Sequence, residues 1–205
     1  MRKTIICSIS MTEKFEPVVY RSEDHSLPSS DVPVRYPINS FLAMTVKPGD
    51  EFKAILLVKK GEFSNWEKNS EYFKSEMNEI CSKVGAKVTY VLVESAFVEE
   101  QAVYEKQMGL IMDEIEDDTH ILVDITYGPK DIPIILFSTL NFAEKFLRCE
   151  IDNIIYGKAE FKDGKVVRAQ LCDMMPLYCL DGVTGLIECD DSDKARKMLK
   201  SLLSL

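Results

Sequence analysis

The chain has 205 residues, of which 25 are Lys or Arg and 34 are Asp or Glu, so its formal net charge is −9. This length suits one α/β domain with a sizeable core and is short for two domains. The composition, 46% hydrophobic and 29% charged, is typical of a globular protein and excludes a disordered or fibrous one. The acidic balance argues against a protein that binds long DNA or RNA, because such binding needs a basic face.

The N-terminal sequence and the cysteines favour a cytoplasmic protein. The first apolar run has only about six residues, too few for a secretory signal, and no run approaches the roughly 18–20 residues of a membrane span. The six cysteines contain no Cys-x-x-Cys pair, so we expect reduced thiols. No metal site is expected, since His25 and His120 are the only histidines and neither has zinc-ligand spacing to a cysteine.

Hydrophobic periodicity predicts strands and helices in alternation. In the first half, the pattern predicts a strand (3–9), a hairpin (16–21 with 32–36), a helix (38–46), a strand (53–59), a helix (65–84) and a strand (87–94). Ser64 and Glu67 form a capping-box pattern before the second of these helices, and Gly85 is placed to end it.

The second half continues the alternation. Its predicted elements are a helix (98–116), a strand (120–126), a helix (131–148), a strand (151–156), a hairpin (158–161 with 165–171) and two helices (175–187 and 192–203). Asp163-Gly164 is a favoured two-residue hairpin turn. Because the strands are apolar throughout and alternate with helices, we predict an α/β, Rossmann-like fold: a mostly parallel sheet with helices on both faces, plus small β-hairpins. One domain is expected over 1–205, with 191–205 as a closing helix.

A polar segment follows the first predicted strand, and ligands of open α/β sheets bind beyond the carboxyl ends of the strands. Hydroxyl and ammonium groups there suit an anion, because both donate hydrogen bonds to phosphate oxygens. The candidate binding residues in this segment are Ser8, Ser10, Met11, Thr12 and Lys14. A polar loop whose hydroxyls only cap local backbone groups is the alternative. No glycine-rich dinucleotide or P-loop motif is present, and no cofactor is expected.

A second candidate segment follows the strand predicted over 120–126. Its candidate residues are Asp124, Thr126, Tyr127, Gly128, Pro129 and Lys130. An aspartate in an apolar strand must be hydrogen-bonded to be buried, so we expect it to order the adjoining loop. The glycine allows a tight turn and close approach of a ligand, and the next two residues open a helix whose free N–H groups favour phosphate. Alternatively, the aspartate and threonine only hold the turn and cap the helix, and the lysine is solvated.

The segment 121–157, which reads ILVDITYGPKDIPIILFSTLNFAEKFLRCEIDNIIYG, resembles the signature of CARF domains, the CRISPR-associated Rossmann fold. In that family a strand ending in Asp-Leu-Thr-His-Gly-like residues leads into a helix that opens with a basic residue, and a later strand ends in Tyr-Gly. The segment 4–21 is similar to the family's first strand and following loop, and 173–186 is similar to its closing stretch. The resemblance covers nearly the whole chain.

The resemblance implies a homodimeric sensor of cyclic tetra- or hexa-adenylate, the second messenger of type III CRISPR antiviral defence, which controls an effector. By position, the ring would be contacted by Ser8, Ser10, Thr12, Lys14, Asp124, Thr126, Tyr127, Gly128 and Lys130. Two departures stand out. Tyr127 replaces the usual histidine and cannot be a cation near neutral pH, and the first loop lacks the family's glycines, so its side chains must do more of the binding.

Two alternatives are carried beside the sensor. The first is a stand-alone ring nuclease without a metal, in which the ligand's own 2′-OH attacks the phosphate and Ser10, Thr12 and Lys130 act in catalysis. The second is a non-catalytic α/β domain that binds another nucleotide or a protein partner. No effector motif is found within 191–205. We therefore expect either a stand-alone protein, with 191–205 as its closing helix, or a sensor in which 191–205 is a stub leading to an effector domain missing from this chain.

Overall fold

The apolar runs of the sequence form the central strands of a sheet. The computed structural model describes residues 1–98, 100–186 and 188–203, and over these it contains six strands and six helices. In chain order they are β1 (Arg2–Ser8), α1 (Pro37–Thr45), β2 (Glu51–Lys60), α2 (Trp66–Val84), β3 (Lys87–Ala96), α3 (Gln101–Glu114), β4 (His120–Asp124), α4 (Asp131–Phe146), β5 (Glu150–Lys162), β6 (Lys165–Asp173), α5 (Met175–Leu186) and α6 (Ser192–Leu202).

The strands form one sheet in the order β3-β2-β1-β4-β5-β6. The pairs β3–β2, β2–β1, β1–β4 and β4–β5 are parallel, and the pair β5–β6 is antiparallel. The strand order reverses at β1, which lies between β2 and β4 and is therefore the switch point where open α/β sheets bind ligands. The predicted Rossmann-like α/β fold is confirmed.

Alternate residues of the central strands point to opposite faces of the sheet, and each face is covered by a layer of helices. Cys7 and Leu56 belong to a core cluster with Phe73 of α2 and Leu42 of α1. Side chains at neighbouring strand positions point to the opposite face, where α3 and α4 contact each other and bury residues such as Ile111. All six cysteines are free thiols.

The predicted hairpin over 16–36 is wrong. Val18 and Val34 form a single antiparallel bridge with two N–H···O bonds of 2.9 Å, and no ladder continues from it. The second arm ends soon after the bridge, because α1 begins at Pro37, three residues after Val34. Arg21 instead bridges β6.

The second predicted hairpin is confirmed and is larger than expected. β5 runs without interruption from Glu150 to Lys162, so the strand and the first arm of the hairpin are one element. Asp163 and Gly164 both have positive φ, 52° and 73°, as the mirror-image hairpin turn requires. The hairpin therefore extends the sheet as β5–β6.

Of the two predicted end signals of α2, the one at the C-terminus is confirmed and the one at the N-terminus is wrong. Gly85 adopts the left-handed conformation at the C-cap, with φ of 76°, as predicted. Ser64 is not the N-cap: the helix begins one residue later, after Asn65, and the Ser64 hydroxyl is buried. The backbone N–H of Asn65 instead donates to the carbonyl of Met11, which ties the helix start to the loop after β1.

The chain divides into two compact units, Met1–Asp173 and Met174–Leu205. The second unit contains α5 and α6, and both predicted helices are confirmed, although residue 187 lies outside the described residues. The Asp191 carboxylate caps α6 by accepting hydrogen bonds from the N–H groups of Asp193 and Lys194, at 2.9 and 3.1 Å. Within the described parts of the chain, no helix is long and apolar enough to cross a bilayer.

A candidate ligand cavity at the carboxyl edge of the sheet

The two polar segments predicted from the sequence are neighbours in space. Cys7 of β1 pairs with Asp124 of β4, so the loops that follow them leave the sheet side by side. Gly128 lies directly over Ser8: a Cβ at this glycine would be 2.3 Å from the Ser8 hydroxyl, and its φ is +94°. Both the space and the backbone conformation therefore require glycine here. The close approach is to Ser8, which is buried beneath the loop.

Asp124 orders the loop after β4, as predicted, and also caps a distant helix. Its side chain is fully buried, and Oδ1 accepts a hydrogen bond from the N–H of Thr126 at 2.9 Å. The other oxygen, Oδ2, accepts from the N–H of Ile38 at 3.1 Å, in the first turn of α1, a helix without a side-chain cap of its own. Burial raises the pKa of this carboxyl to about 6, because the charged form loses its hydration, and the hydrogen bonds only partly offset that loss.

Thr126 and Tyr127 use their polar groups within the protein. The Thr126 hydroxyl accepts a hydrogen bond from the N–H of Gly157 at 2.8 Å, which joins the loop to β5. The Tyr127 hydroxyl donates to the carbonyl of Arg35 at 3.0 Å and lies 3.1 Å from the Tyr20 hydroxyl. Burial raises the pKa of the Tyr127 phenol well above its ordinary value, so the phenol is neutral.

The ring of Tyr127 belongs to an aromatic cluster. It contacts Phe15 edge-to-face at a centroid distance of 5.1 Å and Tyr36 at 5.6 Å. Such pairs add about 0.5–1.5 kcal/mol each beyond the burial of apolar area. Tyr127 is therefore packed between Tyr36, the residue before α1, and Phe15 of the loop after β1.

Asn69 of α2 holds the loop after β1, and the sequence analysis missed it. Its side chain is fully buried, and Nδ2 donates to the carbonyls of Ser10 and Thr12 at 2.8 and 2.9 Å. Ser10 is also buried, and its hydroxyl lies 2.9 Å from that of Thr12. The signal in the sequence is a polar residue on the apolar face of a helix, three positions after Trp66 and four before Phe73.

A cavity of about 620 Å³ opens between this loop, the loop after β4 and the β5–β6 hairpin. We call it the loop cavity. Its polar and charged lining comes from Thr12, Lys14, Glu16, Thr126 and Lys165, and its apolar lining includes Phe15, Val18, Tyr20, Tyr127, Phe161 and Val166. Lys14 and Lys165 are exposed, as is the ring of Phe161. The sequence analysis missed the hairpin residues, because they are brought to the site only by the pairing of β5 with β6.

A second concavity, of about 840 Å³, lies between α3 and α4. Lys130 and Pro129 line it together with Tyr104, Met108 and Ile134. We call it the α3–α4 groove. Of the predicted site residues, Thr12, Lys14, Thr126 and Tyr127 line the loop cavity, whereas Pro129 and Lys130 line the groove. Ser8, Ser10 and Asp124 are buried, Met11 is half-buried, and Gly128 is exposed over Ser8.

A buried lysine, also missed from the sequence, connects the sheet to α4. Lys59, near the end of β2, has only 4% of its surface exposed. Its ammonium donates to the side-chain oxygen of Gln107 at 3.0 Å and to the carboxylate of Asp131 at 3.4 Å. A charge inside a protein must be paired in this way, so Lys59 fixes the first turn of α4 beside the loop after β4.

The fold and the cavity together define a Rossmann-like α/β protein with a largely apolar pocket beside its switch point, which Lys14, Lys165 and Glu16 also line. Neither the protein-family models nor the curated proteins contain a match to this chain.

Proposed function

We propose that this protein is a cytoplasmic, homodimeric sensor that binds cyclic tetra- or hexa-adenylate in type III CRISPR signalling and controls an effector. One observation carries the proposal: the two loops that the family resemblance assigns to ligand contact both supply side chains to the loop cavity, with Thr12 and Lys14 from the first and Thr126 and Tyr127 from the second.

The chemistry of the loop cavity suits a small ring of nucleotides. Lys14 and Lys165 supply positive charge for phosphates, and the Thr12 hydroxyl can donate to a phosphate oxygen. Phe161, with 67% of its surface exposed, offers a ring on which a base can stack, and stacking is worth about 1–3 kcal/mol per base. Glu16 supplies an acceptor for the amino group of adenine. Two-fold symmetry of a homodimer would double these groups around a two-fold symmetric ligand.

Binding is favoured over cleavage as the main activity. The residues predicted for ring cleavage are divided: Thr12 lines the loop cavity, Lys130 lines the α3–α4 groove, and Ser10 is buried with its hydroxyl beside that of Thr12. A cyclic oligoadenylate that is recovered intact after hours with the protein would support the sensor, and a linear product would support the ring nuclease.

The first experiment is a thermal titration of the full chain with cyclic tetra-adenylate and cyclic hexa-adenylate, with a linear oligoadenylate as the control ligand. When the free ligand concentration is about one hundred times Kd, a ligand that binds only the folded state stabilises that state by about 2.7 kcal/mol. This raises the Tm of a protein of this size by several degrees. No rise in Tm with either ring would refute the proposal.

Variants then locate the site. Lys14→Ala and Lys165→Ala should each weaken binding, because each removes a cation from the cavity wall. Lys145→Ala is the matched control, since this exposed lysine lies in the last turn of α4, away from the carboxyl edge. If the ring binds Lys14→Ala and Lys165→Ala as tightly as the parent, the ligand site lies elsewhere.

A further inference from the structure

The opposite, amino edge of the sheet carries a group of metal-ligand side chains that the proposed function does not use. His120 is the first residue of β4, and its register partner Glu150 is the first residue of β5. Asp152 follows two positions later on β5. One imidazole nitrogen and one oxygen from each carboxylate all lie within 4.8 Å of one another.

A β-bulge brings the third ligand into this group. β4 and β5 pair Ile121 with Ile151 and then Leu122 with Asn153, so Asp152 has no register partner. A bulge of this kind redirects the side chain of the extra residue. Here the Asp152 carboxylate lies beside the imidazole, with Oδ1 at 2.8 Å from His120 Nδ1.

The distances from the imidazole nitrogen to the two carboxylate oxygens are close to those between ligands of one metal ion. Zinc–ligand distances of about 2.0–2.2 Å place two ligands of one ion about 2.8–3.6 Å apart, for tetrahedral or octahedral angles. The His120 nitrogen lies 2.8 Å from the Asp152 oxygen and 3.7 Å from the Glu150 oxygen. Small side-chain rotations would therefore place all three atoms around one centre, with the imidazole–carboxylate hydrogen bond replaced by two metal bonds.

We propose that His120, Glu150 and Asp152 form a binding site for a divalent first-row transition metal, with Zn²⁺ as the ion to which the ligand set points. One imidazole and two carboxylates suit Zn²⁺ better than Mg²⁺ or Ca²⁺, which prefer oxygen ligands alone. Glu150 is three-quarters exposed, so the remaining coordination position faces water. The bound ion would join the amino ends of β4 and β5 and stabilise the folded state by mass action.

The fold, rather than the spacing of residues along the chain, creates this candidate site. Zinc spacing between a histidine and a cysteine is absent from the sequence, and the expectation of no metal site followed from that absence. The carboxylates come from a neighbouring strand about thirty residues away, and their approach depends on strand register and the bulge.

The test uses the full chain without an affinity tag, kept reduced and freed of metal with a chelator. We expect added Zn²⁺ to raise Tm and added Mg²⁺ to leave it unchanged. His120→Ala should weaken Zn²⁺ binding by at least about tenfold, measured by calorimetry. The chain provides a matched control, since its other histidine, His25, lies in an exposed loop, and His25→Ala should bind Zn²⁺ as the parent does.

Cobalt reports the ligand type, which matters because the chain has six free cysteines. Co²⁺ bound to nitrogen and oxygen gives weak visible bands without the intense near-ultraviolet absorption of a thiolate–cobalt bond. The proposal would be overturned if the parent protein binds no Zn²⁺, which would leave the three side chains as an ion pair only. It would also be overturned if His120→Ala binds Zn²⁺ as tightly as the parent, or if the Co²⁺ complex shows a thiolate band. Because the group lies at the edge opposite the loop cavity, the response of His120→Ala to cyclic oligoadenylate should equal that of the parent.

Discussion

The carboxylate of Asp124 accepts a hydrogen bond from the backbone N–H of Ile38, 86 residues earlier in the chain, at 3.1 Å. The same carboxylate accepts a second hydrogen bond, from the backbone N–H of Thr126. One buried group at the end of β4 therefore holds both the start of α1 and the loop that lines the cavity. Any change in its charge acts on both elements.

The stability of the protein should depend on pH through Asp124. Burial raises the pKa of this carboxyl from its ordinary 3.8 to about 6, so the folded state binds the proton more tightly than the unfolded state. The stabilisation from this proton is complete below pH 3.8 and is lost as the pH rises through 6. It is of the order of 3 kcal/mol, at 1.36 kcal/mol for each pH unit.

Asp124→Asn isolates this contribution, because the other titrating groups are the same in both proteins. We expect the parent to lose more stability than the variant between pH 5 and pH 7.5, measured by urea unfolding. Equal losses in the two proteins would show that the Asp124 carboxyl does not titrate in this range in the folded state.

Gly128→Ala should destabilise the protein by about 1–3 kcal/mol, the usual cost of a strained backbone. The new Cβ would lie 2.3 Å from the Ser8 hydroxyl oxygen, and the φ of +94° is unfavourable for alanine. In a Ser8→Ala background the clash with oxygen is gone and only the φ strain is left. The cost of Gly128→Ala should therefore be smaller in that background, and equal costs in a double-mutant cycle would contradict this contact.

Asn69→Ala should loosen the loop after β1. The substitution leaves the carbonyls of Ser10 and Thr12 without the donor that now holds them, at a cost of about 1–3 kcal/mol for buried groups. Amide hydrogen exchange in this loop should become faster, and binding of the proposed ligand weaker. Ser82→Ala, an exposed change on the same helix, is the control and should leave loop exchange unchanged.

Lys59→Met should cost much more than the loss of an exposed lysine. It leaves Gln107 and Asp131 without the buried ammonium, and breaking such a pair costs about 3–5 kcal/mol. Lys87→Met removes an exposed ion pair with Glu51 and should cost less than about 1 kcal/mol. Urea unfolding of both variants at one pH measures the difference, and similar costs would show that Lys59 is not a buried partner.

Local patterns predicted the fold well, because apolar strands, helix periodicity and turn glycines each act over a few residues. Gly85 and Asp163-Gly164 are at the ends where the sequence placed them. The predicted first hairpin is wrong because its first arm leads to a bridge between Arg21 and β6, and its second arm leads directly into α1 at Pro37.

The candidate site was predicted only in part, because its geometry depends on contacts between distant segments. The sequence located both loops but not which of their side chains reach the cavity. Ser10 is buried and its carbonyl accepts a hydrogen bond from Asn69, and Ser8 lies beneath Gly128. Lys165 could not be assigned to the site either. It reaches the loop cavity through the long β5–β6 hairpin, which no spacing in the sequence reveals.

The length of β5 gives the loop cavity walls of unequal stiffness. β4 pairs with β5 only as far as Ile155, and beyond the hydrogen bond from the Gly157 N–H to Thr126, the segment from Lys158 to Lys162 has β6 as its only strand partner among the described residues. A two-stranded ribbon opens at a lower free energy than the centre of a sheet, so this arm is the compliant side of the pocket. The side formed by the loops after β1 and β4 is anchored by Asn69 and Asp124. If the proposed ring ligand differs in size from the cavity, we expect the β5–β6 arm to bend and the parallel strands to keep their positions.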